Sequence, residues 1–184
     1  MRTALKARDG DRVALEGLLR LVQADVWRTC RYLVDEQSAE DLTQEVLVRV
    51  VGSLHRITAD HQVRGWVIGI ARHVCFDEIR RRQRRRRVQN EIANSRPSLV
   101  DDTASDIAIR ELIEHLAPDR REVFVLTQLV GLSYEEAAEV CGCQVGTARA
   151  RVARARKELH DLIADPIGHN ATGTFPPPRA TGSA

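Results

Sequence analysis

The stretch that decides the fold is Gly131–Leu159, which reads GLSYEEAAEVCGCQVGTARARVARARKEL. Two helical patterns in it are separated by Gly142, and a glycine at such a turn is typical of a helix-turn-helix. The second pattern repeats apolar residues at helical spacing, which predicts one face turned to the core. The residues of that predicted face are Ala148, Val152, Ala155 and Leu159.

The opposite face of the second helical pattern is basic. Arg149 and Arg154 lie near the end that would enter a DNA groove, and we predict bidentate contacts from them to guanine. Arg151, Arg156 and Lys157 flank that face and suit phosphates. The alternative is an amphipathic helix whose arginines are only solvated. The residues predicted to face DNA here are Thr147, Arg149, Ala150, Arg151, Ala153, Arg154 and Arg156.

Charge is unevenly distributed along the 184 residues, although the net charge is only +2. Seven arginines lie in Ile79–Arg87, whereas Val88–Leu116 has six acidic residues against two arginines. A segmental positive surface indicates a chain that meets phosphates at some places and avoids them at others. Apolar residues make up 43% and aromatic residues 4%. This composition favours small helical units with aliphatic cores.

These patterns predict an all-α chain of two small helical domains joined by an acidic flexible linker, with the helix-turn-helix in the second domain. We expect the first domain at residues 10–87, the linker at 88–105, the second domain at 106–163 and a disordered tail at 164–184. Ser38 is a plausible N-cap of a helix that buries Leu42, Val46, Leu47, Val50 and Val51.

Several classes of protein are disfavoured. The N-terminus has no apolar secretory segment, and the sequence has no apolar run long enough to span a membrane. We therefore expect no membrane partner and a cytoplasmic location. Cys141 and Cys143 form a C-x-C pair without a second pair at zinc spacing, so no metal is expected. No nucleophile, base and orienting group come together in the sequence, and we predict neither a catalytic residue nor a cofactor.

Two further stretches carry a family resemblance. AEDLTQEVLVRVVGSL at 39–54, followed by RGWVIGIARHVCFDEIRRRQRRR at 64–86, resembles the first conserved domain of sigma-70 factors of the extracytoplasmic-function (ECF) type. Gly131–Leu159 resembles the second domain, which reads the −35 promoter element, and VCGCQVGT at 140–147 is similar to a sigma-C-like actinobacterial branch. The resemblance covers about Leu15 to Leu162 and implies an alternative sigma factor that directs promoter-specific transcription initiation.

The resemblance also implies partners and roles. Core RNA polymerase would bind through its beta-prime coiled coil and its beta flap, promoter DNA would be the second partner, and an anti-sigma factor commonly restrains family members. The residues implied in docking on the beta-prime coiled coil are Asp41, Gln44, Glu45 and Arg49, a set that could equally be a solvated helix face. The residues implied in reading and opening the −10 element are His55, Arg56, Arg64, Arg72, His73, Arg80, Arg81 and Arg84.

The sequence departs from the family pattern at His73, where asparagine is common, and we expect Trp66 to pack in the core rather than against bases. The main alternative function is a stand-alone helix-turn-helix regulator that binds DNA without polymerase. That alternative predicts a dimerisation helix, and the sequence shows no obvious zipper heptads.

Overall fold

The computed structural model describes residues 3–58, 63–89 and 104–164, and all secondary structure in these residues is helical. Most of the predicted linker and tail therefore lies outside the described residues. At their borders, helix extends to Gln89, resumes at Ala104 and ends at Ala164. The helices are α1 Thr3–Arg8, α2 Arg12–Leu33, α3 Glu36–Ser53, a 3-10 turn Leu54–Arg56, α4 Val63–Gln89, α5 Ala104–Glu114, α6 Pro118–Phe124 with a π-helical turn Val125–Leu129, α7 Tyr134–Cys141 and α8 Val145–Ala164.

Aspartates start two of the long helices. Asp11 accepts hydrogen bonds from the backbone amides of Val13 and Ala14, at 2.9 and 3.0 Å. Asp35 accepts from the amide of Ser38 at 2.8 Å. The N-cap of α3 is therefore Asp35, and the prediction of Ser38 was wrong by three residues. A carboxylate at this position also interacts favourably with the positive end of the helix dipole.

The first helical unit is built by α2, α3 and α4, which pack their apolar stripes together. Its core is made of aliphatic side chains such as Leu18, Val26, Val46 and Ile68, each at most 2% exposed. Of the predicted buried face of α3, Leu42, Val46 and Val50 are buried, Leu47 is partly buried, and Val51 is 42% exposed. Helix α1 was not predicted, and it packs on α2 ahead of the first expected domain.

The helix-turn-helix has the predicted form. Ser133 and Glu136 form a capping box at the start of α7. Gly142 ends α7 with a φ of 65°, a left-handed conformation that glycine adopts without steric cost. Helix α8 then buries Ala148, Val152 and Ala155. The predicted core face of this helix is confirmed for these three residues, while Leu159 is only partly buried.

The two predicted units share one apolar core. Residues around the π-helical turn, including Leu126 and Val130, belong to the same buried cluster as Val67 of α4 and Val26 of α2. A smaller cluster inside the second unit surrounds Val152. The sequence predicted two small helical domains, and the structure packs these two units against each other.

Polar contacts reinforce this packing. Arg121 donates two hydrogen bonds to the carbonyl of Tyr32, at 2.8 and 2.6 Å, near the end of α2. A guanidinium at the C-terminal end of a helix is stabilised by the helix dipole. Arg110 Nη1, on α5, lies 3.3 Å from Glu36 Oε2, on α3. Both arginines come from the second unit and contact the first.

Candidate nucleic-acid interface

The outer face of α8 presents the predicted −35 residues to solvent. All seven lie on this helix, and only Arg151 is partly buried. Because Ala150 and Ala153 have short side chains, the arginines around them project furthest from this face. The structure therefore places the predicted set on a single helix surface, as the second helix of a helix-turn-helix requires.

Arg149 is held by α7 before any DNA is present. Its Nη2 lies 3.2 Å from Glu135 Oε1, and its guanidinium lies 5.6 Å from the ring centre of Tyr134. The two side chains of the ion pair are 62% and 63% exposed, so this pair contributes little to stability. Its effect is to restrict the orientation of the arginine on the helix surface.

The other arginines of α8 differ in their partners. Arg151 Nε lies 3.2 Å from Asp119 Oδ2, and Arg156 Nη2 donates to Gln128 Oε1 at 2.7 Å. Arg154 is exposed, and no described residue pairs with it. Arg154 is thus freest to meet a base or phosphate without breaking an existing contact.

The predicted −10 residues fall into two groups. His55 and Arg56 are exposed on the 3-10 turn, and His73 is exposed on α4 with its Nδ1 2.6 Å from the carbonyl of Gly69. Arg64 and Arg72, by contrast, are engaged between the two helical units. The structure therefore does not bring the whole predicted set to one open surface.

Arg64 and Arg72 are both occupied by residues distant in sequence. Arg64 pairs with Asp25 at 2.8 Å and also donates to the carbonyls of Gly131, at 3.1 Å, and Val130. Arg72 pairs with Glu122 of α6. Burial lowers the pKa of Arg72, but the hydrogen bond and charge of Glu122 outweigh burial and leave that pKa above its ordinary value.

The basic end of α4 has an inner and an outer side. Arg82 points inward and donates to Asp35, to Ser38 Oγ at 2.5 Å and to Glu78 Oε1 at 2.6 Å. Burial raises the pKa of Asp35 and Glu78, but hydrogen bonds and positive charge together outweigh it and lower both pKa values. Arg82 acts on both carboxylates, with Ser38 also acting on Asp35 and Arg81 on Glu78.

On the outer side of this end, Arg80 pairs with Asp77 at 2.7 Å and Arg81 pairs with Glu78. Arg84 is exposed. Two further exposed arginines, Arg85 and Arg86, lie beyond the predicted set. The sequence feature that could have identified these two residues is the length of the arginine run.

The residues predicted to dock on polymerase lie together on α3. Asp41, Gln44, Glu45 and Arg49 are all exposed, and Arg49 Nη2 lies 2.6 Å from Glu45 Oε1. Val48 is 72% exposed on the same helix and was missed by the prediction. A single exposed apolar side chain is common on protein surfaces, so the docking assignment depends on the polar residues.

The four cysteines are free thiols. Cys75 Sγ lies 3.8 Å from Cys30 Sγ in the core of the first unit. Burial and the neighbouring carboxylate of Glu122 raise the pKa of Cys141. Within the described ranges no group of three or more histidine, cysteine or acidic side chains is arranged to hold a metal. The same residues include no helix that is both long and apolar enough to cross a membrane.

Two family models match the chain, one in each helical unit. Residues 18–85 match the family model described as Sigma-70 region 2, and residues 106–159 match Sigma-70, region 4. A protein of Mycobacterium tuberculosis named ECF RNA polymerase sigma factor SigC is 44% identical over 177 residues, which cover 92% of each chain.

The chain belongs to the ECF group of the sigma-70 family. It is therefore an alternative RNA polymerase sigma factor, which binds core polymerase and promoter DNA and directs transcription initiation. The ECF sigma factor EcfG of Rhodopseudomonas palustris is 32% identical over 130 residues, covering 68% of this chain and 71% of that one.

A solved structure supports the fold of the sigma factor. The co-crystal structure of the sigma factor RpoE in complex with the anti-sigma factor NepR, from Bartonella quintana, aligns with a TM-score of 0.72. The two chains are 25% identical, and the alignment covers 81% of this chain and 96% of RpoE.

Proposed function

We propose that this sigma factor reads two promoter elements with two separate surfaces: α8 contacts the −35 element, and the Leu54–Arg56 turn with α4 contacts and opens the −10 element. The observation that carries the proposal is the exposed arginine face of α8 on a helix-turn-helix whose inner face is buried. A helix of this kind is long and basic enough to enter the major groove.

The arginines of α8 are assigned two different roles, contact with bases and contact with phosphates. Arg149 and Arg154 point outward and are assigned to guanine, whose O6 and N7 accept two hydrogen bonds from one guanidinium. Arg151 and Arg156 flank this outward face and are assigned to phosphates, and each has a protein partner, as Arg149 does. Ala150 and Ala153 leave room for thymine methyl groups.

At the −10 element the protein must offset the cost of unstacking bases, a few kcal/mol for each base. His55 and Arg56 are exposed and available for this contact, and the outward arginines Arg80, Arg81 and Arg84 supply phosphate contacts along α4. Arg72 is held by Glu122 of the second unit, and Arg64 is held both by Val130 and Gly131 of the second unit and by Asp25 of α2. Separation of the two units would therefore free Arg72 for −10 contacts and leave Arg64 bound to Asp25 alone.

Polymerase binding is assigned to α3. Asp41, Gln44, Glu45 and Arg49 would contact the beta-prime coiled coil, and an exposed edge of the second unit would contact the beta flap. RpoE of Bartonella quintana was crystallised with an anti-sigma factor, so we include an anti-sigma protein among the proposed partners. This role places the chain in the cytoplasm with RNA polymerase and gives it no catalytic step of its own.

The test is run-off transcription with core RNA polymerase and the full chain on a promoter library. We expect a small set of promoters to yield defined transcripts that are absent with core enzyme alone. If no template gives a transcript, the proposal is wrong. Tight and sequence-specific binding by the purified chain without polymerase would instead favour a stand-alone regulator.

A further inference from the structure

Helix α1 lies outside residues 18–85, the part that matches region 2, yet it packs into the core of that unit. Ala4 and Ala7 are 3% and 5% exposed and belong to the same buried cluster as Leu54 and Ile57. The helix contacts both α2 and the Leu54–Arg56 turn. It therefore reaches the segment that carries two of the proposed −10 contacts.

One hydrogen bond links α1 directly to this segment. Arg8 Nη1 donates to the carbonyl of Ile57 at 3.0 Å, across 49 residues of sequence. Arg8 Nε donates to Asp9 Oδ1 at 2.8 Å, which fixes the guanidinium from its other side. Arg8 is thus held in the orientation that reaches Ile57.

Ile57 is the residue that ends the turn. Its amide donates to the carbonyl of Leu54 at 3.0 Å, and its side chain is 5% exposed. With Arg8 on its carbonyl, both backbone polar groups of Ile57 have partners. His55 and Arg56 lie between these fixed points and remain exposed.

We propose that Arg8 is a positioning residue for promoter opening, because it fixes the turn that presents His55 and Arg56 to the −10 element. This inference rests on the proposed function of the turn. It makes α1 part of the −10-reading unit rather than a detached N-terminal extension. Arg8 need not touch DNA for this role, since it acts through the backbone at Ile57.

The experiment compares Arg8→Ala and Arg8→Lys with the wild-type chain and with Arg12→Ala. Arg12 is an exposed arginine at the start of α2 and serves as the matched control. Each variant is assayed with core polymerase on a duplex promoter and on the same promoter with its −10 region pre-melted. Core-polymerase affinity and thermal stability are measured in parallel.

We expect Arg8→Ala to lower transcription from the duplex promoter about two- to tenfold, the size of effect that one hydrogen bond supplies. On the pre-melted promoter the loss should shrink, because opening is no longer needed. Arg8→Lys should restore most of the activity, since an ammonium group can also donate to the carbonyl. Arg12→Ala should match the wild type on both templates.

A triple variant tests whether Arg8 acts through the turn. In a chain already carrying His55→Ala and Arg56→Ala, adding Arg8→Ala should cause no further loss on the duplex promoter. The inference is overturned if the loss is fully additive, if it is equal on both templates, or if it follows reduced core affinity. A wild-type chain that gives no transcript on either template would refute the proposed function itself, which is a distinct result.

Discussion

Replacing Glu122 with glutamine should weaken the packing between the two helical units. Glu122 is 6% exposed, and the Arg72 side chain with which it pairs is 23% exposed. Glutamine keeps nearly the same shape and one acceptor oxygen but removes the negative charge. Arg72 would then remain between the units without its carboxylate.

The size of the effect follows from this geometry. A hydrogen bond to a charged group contributes about 1.5–3 kcal/mol, and partial exposure of Arg72 places the loss near the lower half of that range. A loss of about 2 kcal/mol corresponds to about a thirtyfold rise in the ratio of separated to packed chains. The apolar contacts and the bonds of Arg64 and Arg121 remain.

The assay is the apparent affinity of the full chain for core polymerase. When only separated chains engage polymerase with both units, the apparent dissociation constant falls as their population rises, by up to about thirtyfold. Glu139→Gln is the matched control, because Glu139 is an exposed glutamate of α7 in the same unit. Urea denaturation should show lower stability for Glu122→Gln alone.

The reasoning would be refuted by either of two results. One is a change of less than twofold in the affinity of Glu122→Gln for core polymerase, with the Glu139→Gln control changing no more than that. The other is a double-variant cycle in urea denaturation in which Arg72→Ala and Glu122→Gln are additive, since residues in contact should show coupling. Transcription is not the readout for Arg72→Ala, because Arg72 is also a proposed DNA contact.

Three other changes have distinct expected outcomes. Arg149→Ala should weaken −35 recognition by about 1–3 kcal/mol and leave transcription from promoters that do not need this element unchanged, as measured on paired templates. Glu45→Lys should lower affinity for core polymerase without lowering the melting temperature, because Glu45 is exposed on α3; a fall in both would contradict the docking assignment. Gly142→Ala should cost about 1–2 kcal/mol in thermal unfolding, since its φ of 65° strains any side chain although no atom lies within 4 Å of the added carbon; an unchanged melting temperature would contradict this.

Local chemistry explains what the sequence could predict. The spacing of Ala148, Val152 and Ala155 reports which face of α8 is buried, and the positive φ of Gly142 is the reason for a glycine at the turn. These features depend on residues within one or two helical turns. The predicted helix-turn-helix therefore agrees with the structure, whereas the contacts assigned to its arginines stay predictions.

The features that the sequence did not reveal depend on distant residues or on a choice between similar groups. Asp35 and Ser38 can both cap a helix, and only the backbone geometry selects Asp35. Arg64 and Arg72 have the composition of DNA contacts, but their partners lie 39 to 67 residues away in sequence. Helical periodicity carries no information about such pairs.

Arg82 links the helix proposed to contact the −10 element to the helix proposed to bind polymerase. It belongs to the arginine-rich part of α4, yet it binds Asp35 and Ser38, at the start of the helix proposed to hold polymerase. Because Arg82 binds residues of both helices, it fixes the arginine-rich end of α4 against the start of α3. The surface proposed for polymerase and the surface proposed for promoter phosphates therefore keep a fixed spacing on the sigma factor.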